Sequence, residues 1–424
     1  MVSLNKAQYL KVLKNQLNRL NFIPEEKFQS IIETFKDIDI IGFDIDFTLL
    51  QYNKKNMIKL MYESISNYLI IHKNYPKQIK YQYNKEFIQS FSQTGFIFDY
   101  KNGNCLKIRK DKTIIKCYHG KKELNKEQIN TIYEKGKYHL FKKSNSIINE
   151  SFYINIDNFH SQNLPLFMIC VDLFDAGDLK NININNYKNI ILHIFEGINY
   201  NFHVGMFENF SNFGYIFPQI NKFPELYLSN NNCEKLLIKL KEKGKKLFLA
   251  TNSNYSYSNF ILGKTIGKDY DKYFDICIYK SSKPDFFKNP NEKGTKCYFL
   301  DQSEFNCNEL DDEIYHKIIN GNKNLSGGSY FLVEKFYEKM LNKKDINYLF
   351  VGDNILSDCK APSILDGWNS LFIYDDIKLT LINGNSFNDE KDDDKYSNIF
   401  FPYFEDKDCL LALPDIEGIN YLLE

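Results

Sequence analysis

The amino-acid sequence predicts an α/β protein with a doubly wound, mostly parallel sheet and a large inserted α+β cap. Nearly unbroken apolar runs recur along the chain, which is typical of strands buried on both faces of a parallel sheet. Helical stretches precede these runs, so helices and strands alternate as a doubly wound sheet requires. The segment between Thr48 and Thr251 is much longer than a crossover connection needs, which predicts the inserted cap.

The chain begins with a helical pattern that leads to the first predicted strand. Apolar residues between Tyr9 and Leu20 are spaced for one face of an amphipathic helix, and Pro24 marks the start of a second helical segment. Residues 38–43 then form an almost entirely apolar run that ends at Asp44. We expect the helices to pack on the core and this run to form a central strand.

Three later apolar runs lead to polar residues in the same way. The run at residues 246–250 leads to Thr251, the run at residues 274–279 leads to Lys283, and the run at residues 348–351 leads to Gly352 and Asp353. Helical stretches at residues 233–243 and 330–341 precede two of these runs. Ligands bind beyond the carboxyl ends of the strands in such sheets, so these polar residues are candidates for a functional site.

The inserted segment has the pattern of a mixed domain. Residues 96–100, 105–108 and 113–118 are predicted to be short strands, and Asn102 with Gly103 fits a hairpin turn between the first two. We predict three parts of the chain: residues 1–95 with the N-terminal helices and the first part of the core, residues 96–225 as the cap insertion, and residues 226–424 with the remainder of the core and a C-terminal extension. The acidic segment at residues 388–397 is interpreted as a solvated loop rather than a docking site.

Composition and charge argue against several classes of partner. The chain has 424 residues, of which 43% are hydrophobic and 16% aromatic, so it can bury a large core. Lys plus Arg and Asp plus Glu both number 54, which leaves no positive excess for binding nucleic acid or an anionic membrane. No run approaches the roughly 20 apolar residues of a membrane span. We therefore predict a small polar substrate.

The cysteines and the N-terminus predict a cytoplasmic location. The 9 cysteines are odd in number and form no Cys-x-x-Cys pair. They therefore indicate neither a disulfide framework nor a zinc site. The first residues lack the apolar stretch and the cleavage site of a signal peptide.

Asp44 and Asp46 flank a single apolar residue at the end of the first predicted strand. Phosphoryl transfer through an aspartyl-phosphate needs a carboxylate nucleophile and a nearby group that protonates the leaving oxygen. We assign the first role to Asp44 and the role of general acid and base to Asp46. The alternative is a helix-entry turn that carries two solvated aspartates.

The other three strand ends supply groups that suit a phosphate and a metal ion. Thr251 and Asn252 offer hydrogen-bond donors, although they also fit an ordinary helix cap. Lys283 precedes a stiffening proline, although a lysine is by default a surface charge. Asp353 and Asp358 form a second acidic pair, and like charges about 4 Å apart repel by roughly 4 kcal/mol at an effective dielectric near 20. We therefore predict a bound cation, and hard oxygen ligands favour Mg²⁺.

Together these four motifs resemble those of the haloacid dehalogenase superfamily, which run Asp-x-Asp-x-Thr, then Thr or Ser, then Lys, then Gly-Asp with a further Asp. The sequence is most similar to the cytosolic 5'-nucleotidases and the 5'-nucleotidase domain-containing proteins. The segments that carry this likeness are residues 42–49, 95–99, 103–107, 119–120, 247–253, 283–287, 326–328 and 367–368.

The resemblance implies a role for each motif residue. It implies that Asp44 is the nucleophile, that Asp46 is the acid and base, and that Thr251, Asn252 and Lys283 hold the phosphate. It also implies that Mg²⁺ is bound by the side chains of Asp44 and Asp353 and the backbone carbonyl of Asp46, with Asp358 close by. Relatives in the family often form oligomers, so a homo-oligomer is an open expectation.

The predicted cap departs from the purine-specific members of this family. Those members carry an Arg, Asp and His set along one cap helix, and the Arg is missing from the corresponding stretch around residues 193–203. Our first hypothesis is a magnesium-dependent phosphomonoesterase that hydrolyses a nucleoside 5'-monophosphate. The alternatives are a catalytically weak, magnesium-binding interaction protein of the same fold, and a phosphatase for sugar phosphates or phosphoproteins.

Overall fold

The computed structural model describes residues 25–109, 111–139, 149–202, 215–229, 232–288, 295–374, 409–413 and 415–422. The helix predicted between Tyr9 and Leu20, the start of the second helical segment at Pro24, and the loop predicted at residues 388–397 lie outside these residues. None of the helices in the described part of the chain is long and apolar enough to cross a membrane.

The helices of the described residues are numbered in chain order. They are α1 Glu25–Lys36, α2 Lys54–Lys73, α3 Tyr81–Phe91, α4 Lys126–Ile132, α5 Asn163–Asp175, α6 Tyr187–Phe202, α7 Ile216–Lys222, α8 Pro224–Tyr227, α9 Cys233–Glu242, α10 Tyr255–Thr265, α11 Asp312–Ile319, α12 Tyr330–Leu341 and α13 Ile419–Leu422. A π-helical segment, Ile355–Lys360, follows the last strand end of the predicted site.

The strands are numbered in the same way. They are β1 Ile40–Phe43, β2 Gln51–Tyr52, β3 Phe96–Asp99, β4 Asn104–Ile108, β5 Ile114–His119, β6 Lys122–Glu123, β7 Phe152–Asn155, β8 Leu228–Ser229, β9 Lys246–Ala250, β10 Ile276–Tyr279, β11 Lys296–Phe299, β12 Glu304–Asn306, β13 Asn324–Gly327, β14 Tyr348–Gly352, β15 Trp368–Ile373 and β16 Leu411–Leu413.

A mostly parallel sheet forms the centre of the fold, which confirms the predicted α/β class. Among the described residues it has nine strands in the order β12-β11-β13-β10-β9-β1-β14-β15-β16. The strands from β13 to β16 along this order pair in parallel, and β11 and β12 form an antiparallel edge. All residues of β1, β10 and β14 are buried, as expected for parallel strands covered on both faces.

The strand order places a topological switch point at β1. The chain continues from β9 outward on one side of β1 and returns to β14 on the other side. In the register of this sheet, Phe43 lies beside both Leu249 and Val351. The residues that follow β1, β9 and β14 therefore meet at one edge of the sheet, where ligands of such folds bind.

The described residues form two compact units. One contains the central sheet and consists of described residues up to Gln51 and of those that follow residue 231. The other, Tyr52–Ser229, contains an antiparallel sheet in the order β6-β5-β4-β3-β7. Helices α2 and α3 belong to this second unit, whose buried core includes Tyr62, Phe98 and Phe167. The predicted limits of the cap insertion at residues 96–225 stay a prediction.

A glycine in β1 makes room for an aromatic ring of the core. A Cβ atom on Gly42 would lie 2.1 Å from Cζ of Phe248, which is fully buried on the neighbouring strand. The ring of Phe248 is itself surrounded by the rings of Tyr337, Phe350 and Trp368, with centroids 6.4, 6.0 and 6.1 Å away. It has little freedom to move aside, because such cores are close-packed.

We expect Gly42→Ala to lower the free energy of unfolding by about 1–3 kcal/mol, the usual cost of overpacking a core. Urea denaturation followed by circular dichroism measures this change. Gly263→Ala in α10 is the control, because no atom other than those of its chain neighbours and of the backbone of its own helix lies within 4 Å of the added Cβ. Alanine there should leave the stability unchanged or raise it by up to about 1 kcal/mol. Equal urea midpoints for Gly42→Ala and the parent would contradict this account of β1.

Candidate active site

Asp44 is the first residue after β1, and its surroundings are rigid. Its backbone N–H donates to the carbonyl oxygen of Val351 at 2.9 Å, which continues the pairing with β14. The following turn is closed by the backbone N–H of Leu50, which donates to the carbonyl of Ile45 at 2.9 Å. The buried side chain of Gln51 donates to the carbonyl of Phe47 at 3.0 Å. The turn therefore holds Asp44 at the end of the strand with its side chain 13% exposed.

Lys283 is buried between two of the predicted carboxylates. Its Nζ lies 3.1 Å from Oδ1 of Asp44 and 2.7 Å from Oδ1 of Asp358. The lysine side chain is 1% exposed and that of Asp358 is fully buried. The ammonium also lies 4.7 Å from the centre of the Phe350 ring. The default interpretation of Lys283 as a surface charge is therefore excluded.

Asn252 fixes the loop that carries Lys283. Its Oδ1 accepts hydrogen bonds from the backbone N–H of Lys283 at 2.7 Å and from the hydroxyl of Ser281 at 3.1 Å. Its Nδ2 donates to the carbonyl oxygen of Lys283 at 3.0 Å. The side chain of Asn252 thus positions the lysine, and its predicted contact with phosphate stays a prediction.

Asp358 approaches the backbone of Gly352 so closely that only glycine fits there. A Cβ atom on Gly352 would lie 2.3 Å from both Cβ and Oδ2 of Asp358. The aspartate accepts hydrogen bonds from the backbone N–H of Asn354 at 3.0 Å and from the hydroxyl of Ser357 at 3.3 Å. Its carboxylate is therefore held at the end of β14, beside Lys283.

Three carboxylates form a candidate metal centre. Asp44, Asp353 and Asp358 each offer an oxygen, and these oxygens all lie within 4.8 Å of one another. Such a cluster repels itself unless a cation is shared, and a hard divalent cation prefers oxygen ligands of this kind. The residues present therefore fit a divalent metal ion.

Burial and charge act in opposite directions on the two buried partners. Burial lowers the pKa of Lys283, but the carboxylates of Asp358 and Asp44 outweigh it and raise that pKa above its ordinary value. Burial raises the pKa of Asp358 to about 6, against the opposing attraction of the Lys283 ammonium. Because the folded pKa exceeds the unfolded one, the fold loses stability as Asp358 ionises between about pH 4 and pH 6.

Asp46 points to a pair of hydroxyl groups. Its Oδ2 accepts a hydrogen bond from Ser253 Oγ at 2.9 Å, and its Oδ1 accepts one from the Tyr257 hydroxyl at 3.2 Å. Ser253 follows β9 and Tyr257 lies in the first turn of α10, where Asn254 caps the helix by accepting from the backbone N–H of Tyr257. The sequence also allowed Asp46 to be a solvated aspartate. That alternative is excluded, because both of its carboxylate oxygens accept hydrogen bonds from protein side chains.

Thr251 is buried at the end of β9. Its backbone N–H donates to the carbonyl of Ile278 at 2.9 Å, and its carbonyl accepts from the backbone N–H of Ser281 at 2.9 Å. Its Oγ1 accepts from the backbone N–H of Ser253 at 3.2 Å. The threonine thus links β9 to the Lys283 loop, and its role in holding phosphate stays a prediction.

The structure brings the predicted residues of all four strand ends to one edge of the sheet. Sequence reasoning missed Tyr257, which none of the four motifs includes. One signal could have found it, because Ser253 and Tyr257 are four residues apart at a helix start and so can face the same group.

Comparison with known proteins gives a consistent result. A sequence model described as the 5' nucleotidase family matches residues 32–397. Human 5'-nucleotidase domain-containing protein 1 is 26% identical over 346 residues, which cover 80% of this chain and 72% of that protein. The Bos taurus protein of the same name is 25% identical over 347 residues, covering 80% and 73%. A Dictyostelium discoideum 5'-nucleotidase domain-containing protein is 26% identical over 373 residues, covering 84% and 56%.

We expect Lys283→Met to lower the free energy of unfolding by about 3–5 kcal/mol, because it leaves the buried Asp358 carboxylate without its counter-charge. The measurement is urea denaturation in EDTA at a pH well above 6. Adding Asp358→Asn to this variant should recover part of the loss, since the buried charge is then gone. The control Lys296→Met breaks an ion pair that is exposed on both sides and should leave the midpoint unchanged. Equal stability of Lys283→Met and the parent would show that the buried pair is not stabilising.

Proposed function

The chain belongs to the 5'-nucleotidase family, and on this basis we propose that it is a magnesium-dependent phosphomonoesterase that hydrolyses a nucleoside 5'-monophosphate through an aspartyl-phosphate. Membership of the family confirms the resemblance found in the sequence and supports the prediction of a 5'-nucleotidase-like phosphatase. The placement in the haloacid dehalogenase superfamily is consistent with this family.

The position of the Lys283 ammonium supports the proposal more strongly than any other observation. The buried ammonium of Lys283 lies within ion-pair distance of both Asp44 and Asp358, at the carboxyl edge of the parallel sheet. A purely structural aspartate at a strand end does not require a buried lysine, a second buried carboxylate and a glycine to accommodate it. The arrangement is suited to a dianionic phosphate group that approaches Asp44.

The reaction we propose has two steps: Asp44 first forms a bond to phosphorus, and water then displaces it. In the first, a carboxylate oxygen of Asp44 forms a bond to phosphorus while the bond from phosphorus to the ester oxygen breaks. Asp46 gives its proton to that leaving oxygen. In the second, water gives a proton to Asp46 and attacks phosphorus, and the bond from phosphorus to Asp44 breaks. Inorganic phosphate leaves, and both aspartates return to their initial states.

Lys283 has an electrostatic part in both steps. Asn252 holds the backbone of Lys283, and the carboxylates of Asp44 and Asp358 hold its buried ammonium, so the positive charge is in place before the substrate arrives. Such preorganised charge is more effective than a mobile side chain, because nothing has to reorient during the reaction. We propose that it offsets charge on the phosphoryl oxygens.

We propose Mg²⁺ as the divalent ion of the carboxylate cluster, held by the side chains of Asp44 and Asp353 and the backbone carbonyl of Asp46, with Asp358 close by. When bound, the ion would neutralise charge on the phosphoryl oxygens and on the carboxylates.

The proposed substrate is a small nucleotide, because the relatives are named as 5'-nucleotidase domain-containing proteins. The cap helix α6 carries Glu196 and Gly197 in the stretch where purine-specific members have their Arg, so we do not restrict the proposal to purines. We further propose a cytoplasmic location. The expectation of a homo-oligomer stays a prediction.

We expect Asp44→Asn to abolish phosphate release and to retain the fold, because the amide cannot act as the nucleophile. The measurement is phosphate release from a panel of nucleoside monophosphates and sugar phosphates, with Mg²⁺ and with EDTA. Asp345→Asn changes an exposed aspartate just before β14 and should keep the parent's activity. Full activity of Asp44→Asn would rule out the aspartyl-phosphate, and release from sugar phosphates alone would move the substrate to the alternative class.

Mg²⁺ should also stabilise the protein in the absence of substrate. A ligand at 100 times its dissociation constant adds about 2.7 kcal/mol to the free energy of unfolding if it binds only the folded state. We expect a higher thermal midpoint with Mg²⁺ than with EDTA, and a smaller difference in Asp353→Asn. Identical midpoints in the two buffers would mean that the carboxylates hold no Mg²⁺.

A further inference from the structure

The carboxylate of Asp46 is held by two hydroxyl groups, one on each oxygen. Ser253 Oγ lies 2.9 Å from Oδ2 and the Tyr257 hydroxyl lies 3.2 Å from Oδ1. An ionised carboxylate has no hydrogen to donate, so both hydroxyls must act as donors. Two donors on two different oxygens fix the plane of the carboxylate, whereas a single donor would let it rotate.

The two donors are themselves anchored to the core. Tyr257 is buried, and its backbone N–H donates to the capping side chain of Asn254 at 2.9 Å. The backbone N–H of Ser253 donates to Oγ1 of the buried Thr251 at 3.2 Å. Both hydroxyls therefore come from a strand end and a helix start whose positions the sheet determines.

We propose that Ser253 and Tyr257 are positioning residues that orient Asp46 for proton transfer to the leaving oxygen. The inference rests on the proposed function and adds two residues, Ser253 and Tyr257, to which neither the motifs nor the proposed function assigns a role. Each carboxylate oxygen has about two lone-pair sites, so an oxygen that accepts from a hydroxyl can still carry the proton it transfers. That proton passes from Asp46 to the ester oxygen as the bond from phosphorus to that oxygen breaks, and the two hydroxyls keep their own hydrogens.

This role predicts a dependence on the leaving group. A nucleoside leaves as a strongly basic alkoxide unless its oxygen is protonated, so its departure needs Asp46 in the correct orientation. The p-nitrophenolate ion is stable without a proton, so its departure does not. A residue that only supports the fold would affect both substrates alike.

The test compares kcat/KM for a nucleoside 5'-monophosphate and for p-nitrophenyl phosphate in Tyr257→Phe, Ser253→Ala and the double variant. The ratio kcat/KM reports the steps up to formation of the aspartyl-phosphate, in which Asp46 is the acid. General acid catalysis contributes typically 10²–10⁴-fold, so we expect each single variant to lose about tenfold or more on the nucleotide. On p-nitrophenyl phosphate the change should stay within about twofold, because that step needs little acid catalysis.

Two control variants separate positioning from general damage. Tyr255→Phe removes a hydroxyl from the same helix, at a ring that packs against Tyr279 with centroids 5.2 Å apart, and should match the parent on both substrates. Ser253→Thr keeps a hydroxyl at the site and should restore much of the nucleotide activity that Ser253→Ala loses. Equal losses on both substrates in Tyr257→Phe and Ser253→Ala would overturn the proposal.

A crystal structure of the double variant supplies a readout that does not depend on turnover. We expect the Asp46 carboxylate in the double variant to have an orientation different from that in the parent. The same orientation in both proteins would overturn the proposal. A parent that releases phosphate from neither substrate would contradict the proposed function instead, and the orientation of Asp46 would then decide the positioning role by itself.

Discussion

The candidate active site depends on holding negatively charged carboxylates together at one edge of a parallel sheet. Oxygens of Asp44, Asp353 and Asp358 lie within 4.8 Å of one another, and the buried ammonium of Lys283 forms ion pairs with Asp44 and Asp358. At such distances each pair of like charges repels by a few kcal/mol even at a high effective dielectric. Several features of the sheet edge keep these groups in place against that repulsion.

The features that oppose the repulsion come from different parts of the sheet. The register that sets Phe43 beside Leu249 and Val351 brings the strand ends level. The absence of a side chain at Gly352 lets Asp358 reach Lys283, and the amide of Asn252 holds the lysine loop. A site of this kind costs stability when it is empty, because its clustered carboxylates repel one another and lose hydration on burial. Binding of a cation and a phosphate would reverse that cost, so stability and the proposed catalysis arise from the same charges.

Much of the fold could be predicted, because its strands are local apolar runs bounded by polar residues. The strand at residues 246–250 and the helix at residues 330–341 have the predicted ends. The strand predicted at residues 274–279 begins later, at Ile276, since the backbone N–H of Leu247 donates to the side-chain carboxylate of Asp275 at 3.1 Å and not to a backbone carbonyl of that strand. The partners within the site could not be predicted in the same way. The Tyr257 hydroxyl donates to Asp46, and Asn252 donates to the Lys283 loop. Both hydrogen bonds join elements that are distant in sequence and adjacent only after folding.

If Asp44 is the nucleophile, it becomes covalently phosphorylated during turnover, and this intermediate can be trapped. The protein is mixed with a nucleoside monophosphate and Mg²⁺, quenched in acid during turnover, and digested for peptide mass spectrometry. We expect one added phosphoryl group on the peptide that contains Asp44, lost again after mild alkaline treatment, and none on that peptide in Asp44→Asn. Rapid turnover in which the Asp44 peptide never carries a phosphoryl group would contradict the role of Asp44 as nucleophile, and would indicate direct attack by water.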